Sequence, residues 1–263
     1  MTYGDDNGSG FESARFLIEE IDSDLNEIKT LTEEYFRNNP YALVKEQNPI
    51  NGDEHAKIVF RPVPSRIRYI TSNVIKNLRD ALDQACSAAS EHIKGKRCRH
   101  AHFPFGENPD DFEVAITKSV CKDIPSELYP ILRTFELYPT GEGYDGGNNR
   151  LRMLGRVSGP HKHRIAISAA PNIVPTLQCL EVFPGKNGKV IFHHPLQERK
   201  NNEFPLVTLG KGGRARFNLQ MTGQLIFANT KLRDVPVREF LMACQGDVRK
   251  IVEELESEAL RIK

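Results

Sequence analysis

Two stretches of this chain hold residue types that could handle a phosphate. The first, Asn77-Leu78-Arg79-Asp80-Ala81-Leu82-Asp83-Gln84, sets one guanidinium among carboxylates and amides. The second runs from Arg150 to Arg164 and carries Arg150, Arg152, Arg156, Lys162 and Arg164 with no acid between them. Arginine presents a planar fork of donors that matches two phosphate oxygens, and the imidazole of His163 titrates near neutral pH. A plainer reading stands beside each. Arg79 and Asp83 are four apart on a helix and can form a surface pair worth roughly a few tenths of a kcal/mol. Asn73, Asn77, Asp80, Gln84 and Glu91 then make a solvated polar stripe. The Lys162-His163-Arg164 triplet can close a helix and open a strand with His163 bonded to backbone.

Long helices must position the first stretch. Ala14, Leu17, Ile18, Ile21, Leu25, Ile28, Leu31 and Tyr35 recur every three or four residues, which predicts an amphipathic helix from Phe11. Ser9-Gly10-Phe11-Glu12 fits a capping box before it. Asn38-Asn39-Pro40 should stop it, because the residue before a proline avoids the helical region. Residues 40–55 read as a loop and Ala56–Arg61 as a short strand. Pro64-Ser65 opens a second long helix with an apolar stripe of Ile67, Ile70, Val74, Leu78, Ala81, Ala85 and Ala88, and Gly95 is its stop. Asn108–Ile116, Ser126–Phe135 and Leu151–Val157 are expected as short helices. From Arg164 the texture changes to short runs rich in β-branched and aromatic residues: 164–169, 177–183, 189–193, 204–209, 215–221 and 224–228. Gly, Pro and Asn separate them, as in an antiparallel sheet. A helix follows Pro236.

Helices, then strands, then a helix argue an α+β fold rather than alternating βαβ units. The expected division is a tail over 1–10, a helical region over 11–163, an antiparallel β region over 164–235 and a terminal helix over 236–263.

The Asn77–Gln84 stretch resembles the motif of the HEPN helical superfamily: an Arg, four to six residues, then a His, often with a polar residue directly after the Arg. Arg79 and Asp80 match the first two positions. The chain also resembles an uncharacterised bacterial family with an Asn-Leu-Arg-x-Ala-Leu-Asp-His helix, a Phe-Pro element and a later Lys-His-Arg triplet. Asn77-Leu78-Arg79, Ala81-Leu82-Asp83, Phe103-Pro104-Phe105 and Lys162-His163-Arg164 occur here in that order. The resemblance spans roughly residues 11–170 and implies a HEPN-like helical region, a homodimer with motif helices facing each other, and metal-independent RNA cleavage of the toxin or defence type. Arg79 would then hold phosphorane charge. One departure falls at the decisive place. Gln84 stands where the motif has His, and an amide exchanges no proton near pH 7. Either another imidazole completes the site, with His163 as the candidate, or the site binds without cleaving. On this reading Arg79 and His163 are the candidate catalytic residues. Asn77, Asp80, Gln84, Arg152, Arg156, Lys162 and Arg164 are the candidate nucleic-acid or anion contacts.

Composition narrows the classes. The 263 residues are 39% hydrophobic and 27% charged with a formal net charge of +1, so a uniformly basic nucleic-acid binder is excluded and only local patches remain. Residues 11–36 carry eight acids against two bases. No run of 18 apolar residues exists, so no membrane span is expected. The first ten residues carry no secretory pattern. Five cysteines, odd in number and free of any CxxC pair, suggest free buried thiols in a reducing, cytoplasmic setting. Cys98-Arg99-His100-Ala101-His102 lacks a standard zinc spacing and reads instead as a basic loop beside the Arg79 helix, so neither a metal nor a cofactor is expected. Gly210-Lys211-Gly212-Gly213-Arg214 reads as a tight turn between strands, without Walker spacing. The expected partner is RNA or another phosphate-bearing ligand. The other reading left open is a non-catalytic interaction or regulatory subunit that works through the β region.

Overall fold

The computed structural model describes residues 10–158, 168–193, 203–228 and 231–262. The fold is α+β, with long N-terminal helices, antiparallel sheets and a C-terminal helix. Helix α1 (Gly10–Arg37) and helix α2 (Ser65–Lys94) follow the apolar stripes in the sequence, and helix α6 (Val237–Ile262) packs with both. Between them lie α3 (Pro109–Ala115), α4 (Tyr129–Thr134) and α5 (Asn149–Ser158). Helix α2 is the central one. Ile67, Val74, Leu78, Ala81, Leu82, Ala85 and Ala89 are fully buried along it. Its alanines let α1 come close: a Cβ added to Gly10 would stand 2.8 Å from that of Ala88. Gly95 ends α2 in the left-handed region, φ 62°, with its N–H donating to the Glu91 carbonyl. Ion pairs tie the three long helices at their rims: Arg66 to Glu27, Arg15 to Glu256 and Arg249 to Asp22. Part of the acidic charge of α1 is thus met by α2 and α6. No described helix is long and apolar enough to cross a membrane.

The strands differ from expectation in two ways. Residues 41–60 form a hairpin, β1 (Tyr41–Gln47) with β2 (Glu54–Phe60), where a loop was expected before residue 56. Most of β1 is exposed at a sheet edge, so its sequence lacks the inside–outside alternation that marks a strand. This hairpin joins β5 (Glu203–Leu209) and β4 (Val190–Phe192) in one four-stranded sheet of order β1-β2-β5-β4. The sheet therefore takes strands from both sides of residue 164.

The second difference is length. Runs 164–169 and 177–183 were expected apart, yet Ser168–Phe183 is one strand, β3. Arg214–Ala228 is likewise one strand, β6, paired with β3 as a two-stranded ribbon. Pro171 and Pro175 lie inside β3, in register with Leu225 and Met221, in a ribbon with one unpaired edge, the setting in which a strand tolerates proline. One end of the ribbon packs Leu225 and Phe227 into the helical core, and the other packs Val182, Ala215 and Phe217 on the sheet. The Gly210–Gly213 segment is the turn between β5 and β6, with Gly212 at φ 77°.

Candidate functional site

Arg79 is placed by α2 and by the chain that returns along it. After Gly95 the backbone runs back antiparallel to α2 and brings Phe103 opposite Asp83. The Phe103 N–H donates to Asp83 Oδ1 at 2.8 Å, and the Phe103 carbonyl accepts from Arg79 Nη2 at 2.8 Å. Arg79 also meets Asp83 directly, Nη2 to Oδ1 at 2.9 Å and Nε to Oδ2 at 3.3 Å. The i, i+4 pair expected from sequence is present, and it is no loose surface pair. Both side chains are mostly buried, 17% and 16% exposed. The pair satisfies both backbone polar groups of a phenylalanine that is itself 1% exposed. The guanidinium carbon sits 4.7 Å from the centre of the Phe105 ring, a cation–π contact.

One imidazole does lie at this site, and it is not His163, the imidazole expected from sequence, but His102. His102 Nδ1 is 3.4 Å from Asp83 Oδ2, and its side chain is 44% exposed. The contact is a charge-pair approach of Nδ1 to the carboxylate, and it leaves Nε2 as the nitrogen available to a ligand. Among the described residues Nε2 has no partner. Asp83 thus holds a cation and an imidazole side by side. The Cys98–His102 segment lies beside the Arg79 helix, as expected of it as a basic loop, and no metal-binding cluster of His, Cys, Asp and Glu occurs among the described residues.

Beside Arg79 opens a shallow depression of about 410 Å³. Lys118 adds a second cation to its wall, Asp111 a carboxylate, and Val114, Val120 and Pro104 an apolar surface. Cys121 also lines it. Burial pushes that thiol up to about 11, against the opposing pull of Arg79, so it is neutral at pH 7 and no nucleophile. Cys121 and the still more deeply buried Cys86 both turn their Sγ toward the His102 carbonyl, at 3.2 and 3.9 Å, and pin that residue's backbone.

Glu107 draws α5 to the same segment. Its two carboxylate oxygens accept from Arg152 and Arg156, and it is held below the ordinary glutamate value, first by its hydrogen bond from Arg156. A Cβ on Gly155 would meet the Phe105 ring at 3.1 Å. The stretch Phe103-Pro104-Phe105-Gly106-Glu107 is therefore a strap that binds α2 through Arg79 and Asp83 and α5 through Arg152 and Arg156. Arg150 pairs with Asp247 of α6 at 2.6 Å. Each of the three α5 arginines meets a carboxylate from elsewhere in the chain, a charge balance invisible in the local sequence.

The remaining candidates lie apart from Arg79. Asn77, Asp80 and Gln84 occupy another stripe of α2. Asp80 pairs with Lys76 at 3.3 Å, and the Gln84 Oε1 is buried with no partner among the described residues. Lys162, His163 and Arg164 lie outside the described residues. No protein-family model, curated protein or solved structure matches this chain.

Proposed function

We propose that this chain binds RNA, or another phosphate-bearing ligand, in the depression beside Arg79, and that the same site carries metal-independent phosphodiester cleavage. One observation carries the reading: Asp83 holds Arg79, which lines the depression, and lies 3.4 Å from the half-exposed imidazole of His102, the residue before the lining Phe103, while the depression's other cation, Lys118, has no partner among the described residues. Cleavage of RNA without metal needs a base to take the 2′-hydroxyl proton, and a cation to hold the charge that grows on the phosphoryl oxygens. His102 Nε2 serves as the base and the free edge of Arg79, with Lys118, as the cation. Asp83 stabilises the imidazolium that forms. The attacking 2′-oxygen bonds phosphorus as the P–O5′ bond breaks, the 5′-oxygen takes a proton from water while the imidazolium returns its own to solvent, and the product is a 2′,3′-cyclic phosphate. The HEPN resemblance supports the same chemistry and adds a homodimer of toxin or defence type acting in the cytoplasm. Light scattering checks the dimer.

Fluorescence anisotropy with a labelled single-stranded RNA in EDTA tests the binding. Lys118→Ala is the clean variant, because Lys118 holds nothing else together. Its affinity should fall about tenfold, and the wild-type affinity should drop with salt at a log–log slope of about −0.7 per phosphate held. Salt-insensitive binding, or a Lys118→Ala variant that binds as wild type, refutes the reading. A second reading, a non-catalytic interaction subunit, is favoured by Phe183, Ile191 and Phe192, which stand 59%, 46% and 56% exposed in or beside the sheet. A packing-driven interface there responds weakly to salt and is blocked by Phe192→Asp.

A further inference from the structure

We infer that the depression takes one unpaired nucleotide, with its base against the two exposed valines, and that guanine is the base it prefers. The inference rests on the proposed RNA-binding reading and specifies the substrate of the same site. Three kinds of surface meet there. Val114 and Val120 are 48% and 50% exposed and, with Pro104, form an apolar wall. Arg79 and Lys118 supply positive charge. Asp111 supplies a carboxylate, and its position is fixed: Oδ2 accepts from the Glu107 N–H at 2.8 Å while its own N–H donates to the Asn108 side chain at 2.8 Å.

An apolar wall, two cations and an immobilised carboxylate are the complement of a nucleotide. The wall covers the face of a base and the cations take the phosphate. The carboxylate accepts from the base edge. At about 410 Å³ the depression falls within the ~300–1,000 Å³ range of small-ligand sites. A base inside an A-form duplex cannot reach such a wall, because its face is stacked and its Watson–Crick edge is paired. A splayed base of a single strand can. Among the four bases, guanine alone turns two adjacent donors, N1–H and the 2-amino group, to one carboxylate. Adenine and cytosine offer one amino donor beside a ring acceptor. Uracil offers one N–H between two carbonyl oxygens, which a carboxylate repels.

The test is anisotropy in EDTA with fluorescein-labelled octamers of uridine carrying a single central G, A, C or U, and with a 12-base-pair RNA duplex. The proteins are wild type, Lys118→Ala, Asp111→Asn and the double variant Val114→Asp/Val120→Asp, each checked for native circular dichroism. Wild type should bind the G octamer about 5-fold or more tighter than the U octamer, the scale of one good two-donor contact. Asp111→Asn should abolish that preference, so that the variant binds the G and U octamers alike. The double variant should weaken every single strand about tenfold or more, and the duplex should bind worse than any octamer. Binding that depends on Lys118 yet ignores the base, or prefers the duplex, overturns this inference and leaves the RNA reading standing. Binding of no RNA at all overturns both.

Discussion

Removing the Asp83 carboxylate should cost this protein a large part of its stability. Asp83 accepts from the Phe103 N–H and from two nitrogens of Arg79, in a place only 16% exposed. In Asp83→Ala the Phe103 N–H loses its acceptor beside a side chain that is 1% exposed, a cost of about 1–3 kcal/mol. Arg79 keeps the Phe103 carbonyl and the Phe105 ring but loses its counter-charge, at about 1.5–3 kcal/mol for charge-assisted bonds. The two losses overlap, and water reaches part of the guanidinium, so the expected total is about 3–5 kcal/mol, the range for breaking a buried pair. Against a typical folding free energy of about 5–15 kcal/mol this is severe. Asp80, one turn of the wheel away, has only Lys76 at 3.3 Å, and Asp80→Ala should cost no more than about 0.5 kcal/mol. Urea unfolding followed by circular dichroism measures both, as a shift of midpoint at constant slope. An Asp83→Ala variant within about 1 kcal/mol of wild type, or indistinguishable from Asp80→Ala, would refute the argument that this pair builds the strap.

Three further outcomes are expected. Glu107 is held below the ordinary carboxylate value, so its contribution to stability is present above that value and lost as the pH falls through the depressed one. The urea midpoints of wild type and Glu107→Gln should therefore differ at pH 7 and converge as the pH falls below the ordinary glutamate value and through the depressed one. Burial raises the thiols of Cys86, Cys121 and Cys244, and also that of Cys98. In a Cys179→Ser background, iodoacetamide at pH 8 should leave all four unlabelled in the folded chain and label them in urea, as mass spectrometry reads directly. A Cβ at Gly223 would run into the Phe36 ring, where the β6 strand crosses the end of α1, so Gly223→Ala should lower stability by about 1–3 kcal/mol in the same urea assay.

The helices were legible because each carries a periodic apolar stripe and an obvious stop: Pro40 for α1, Gly95 for α2 and Pro236 ahead of α6. The strands were legible in composition but not in extent. Pro171 and Pro175 look like breaks, yet β3 runs through both. Tyr41–Gln47 looks like a loop because an edge strand buries little. At the site, the Arg79–Asp83 contact follows from helical spacing alone. His102 needed one more step that the sequence permits. Twelve helical residues from Asp83 to Gly95 advance roughly 18 Å at 1.5 Å each, and about five to six extended residues at 3.3 Å each retrace that distance, so a chain doubling back draws level with Asp83 from about residue 100–101 on, within a residue or two of His102. Nothing local reveals that Glu107 and Asp247 neutralise the arginines of α5, because those pairs close over 40 or more residues.

The most direct test of the account is cleavage of a mixed RNA pool in EDTA by wild type, Arg79→Lys, His102→Ala and His163→Ala. Arg79→Lys keeps a cation on α2 but loses the planar fork. Wild type should cleave to cyclic-phosphate ends, with a loss of about 100-fold or more in His102→Ala, the scale of a general base, and a comparable loss in Arg79→Lys. No cleavage by wild type, or full cleavage by His102→Ala with loss in His163→Ala, would contradict it, the latter by moving the acid–base role to His163.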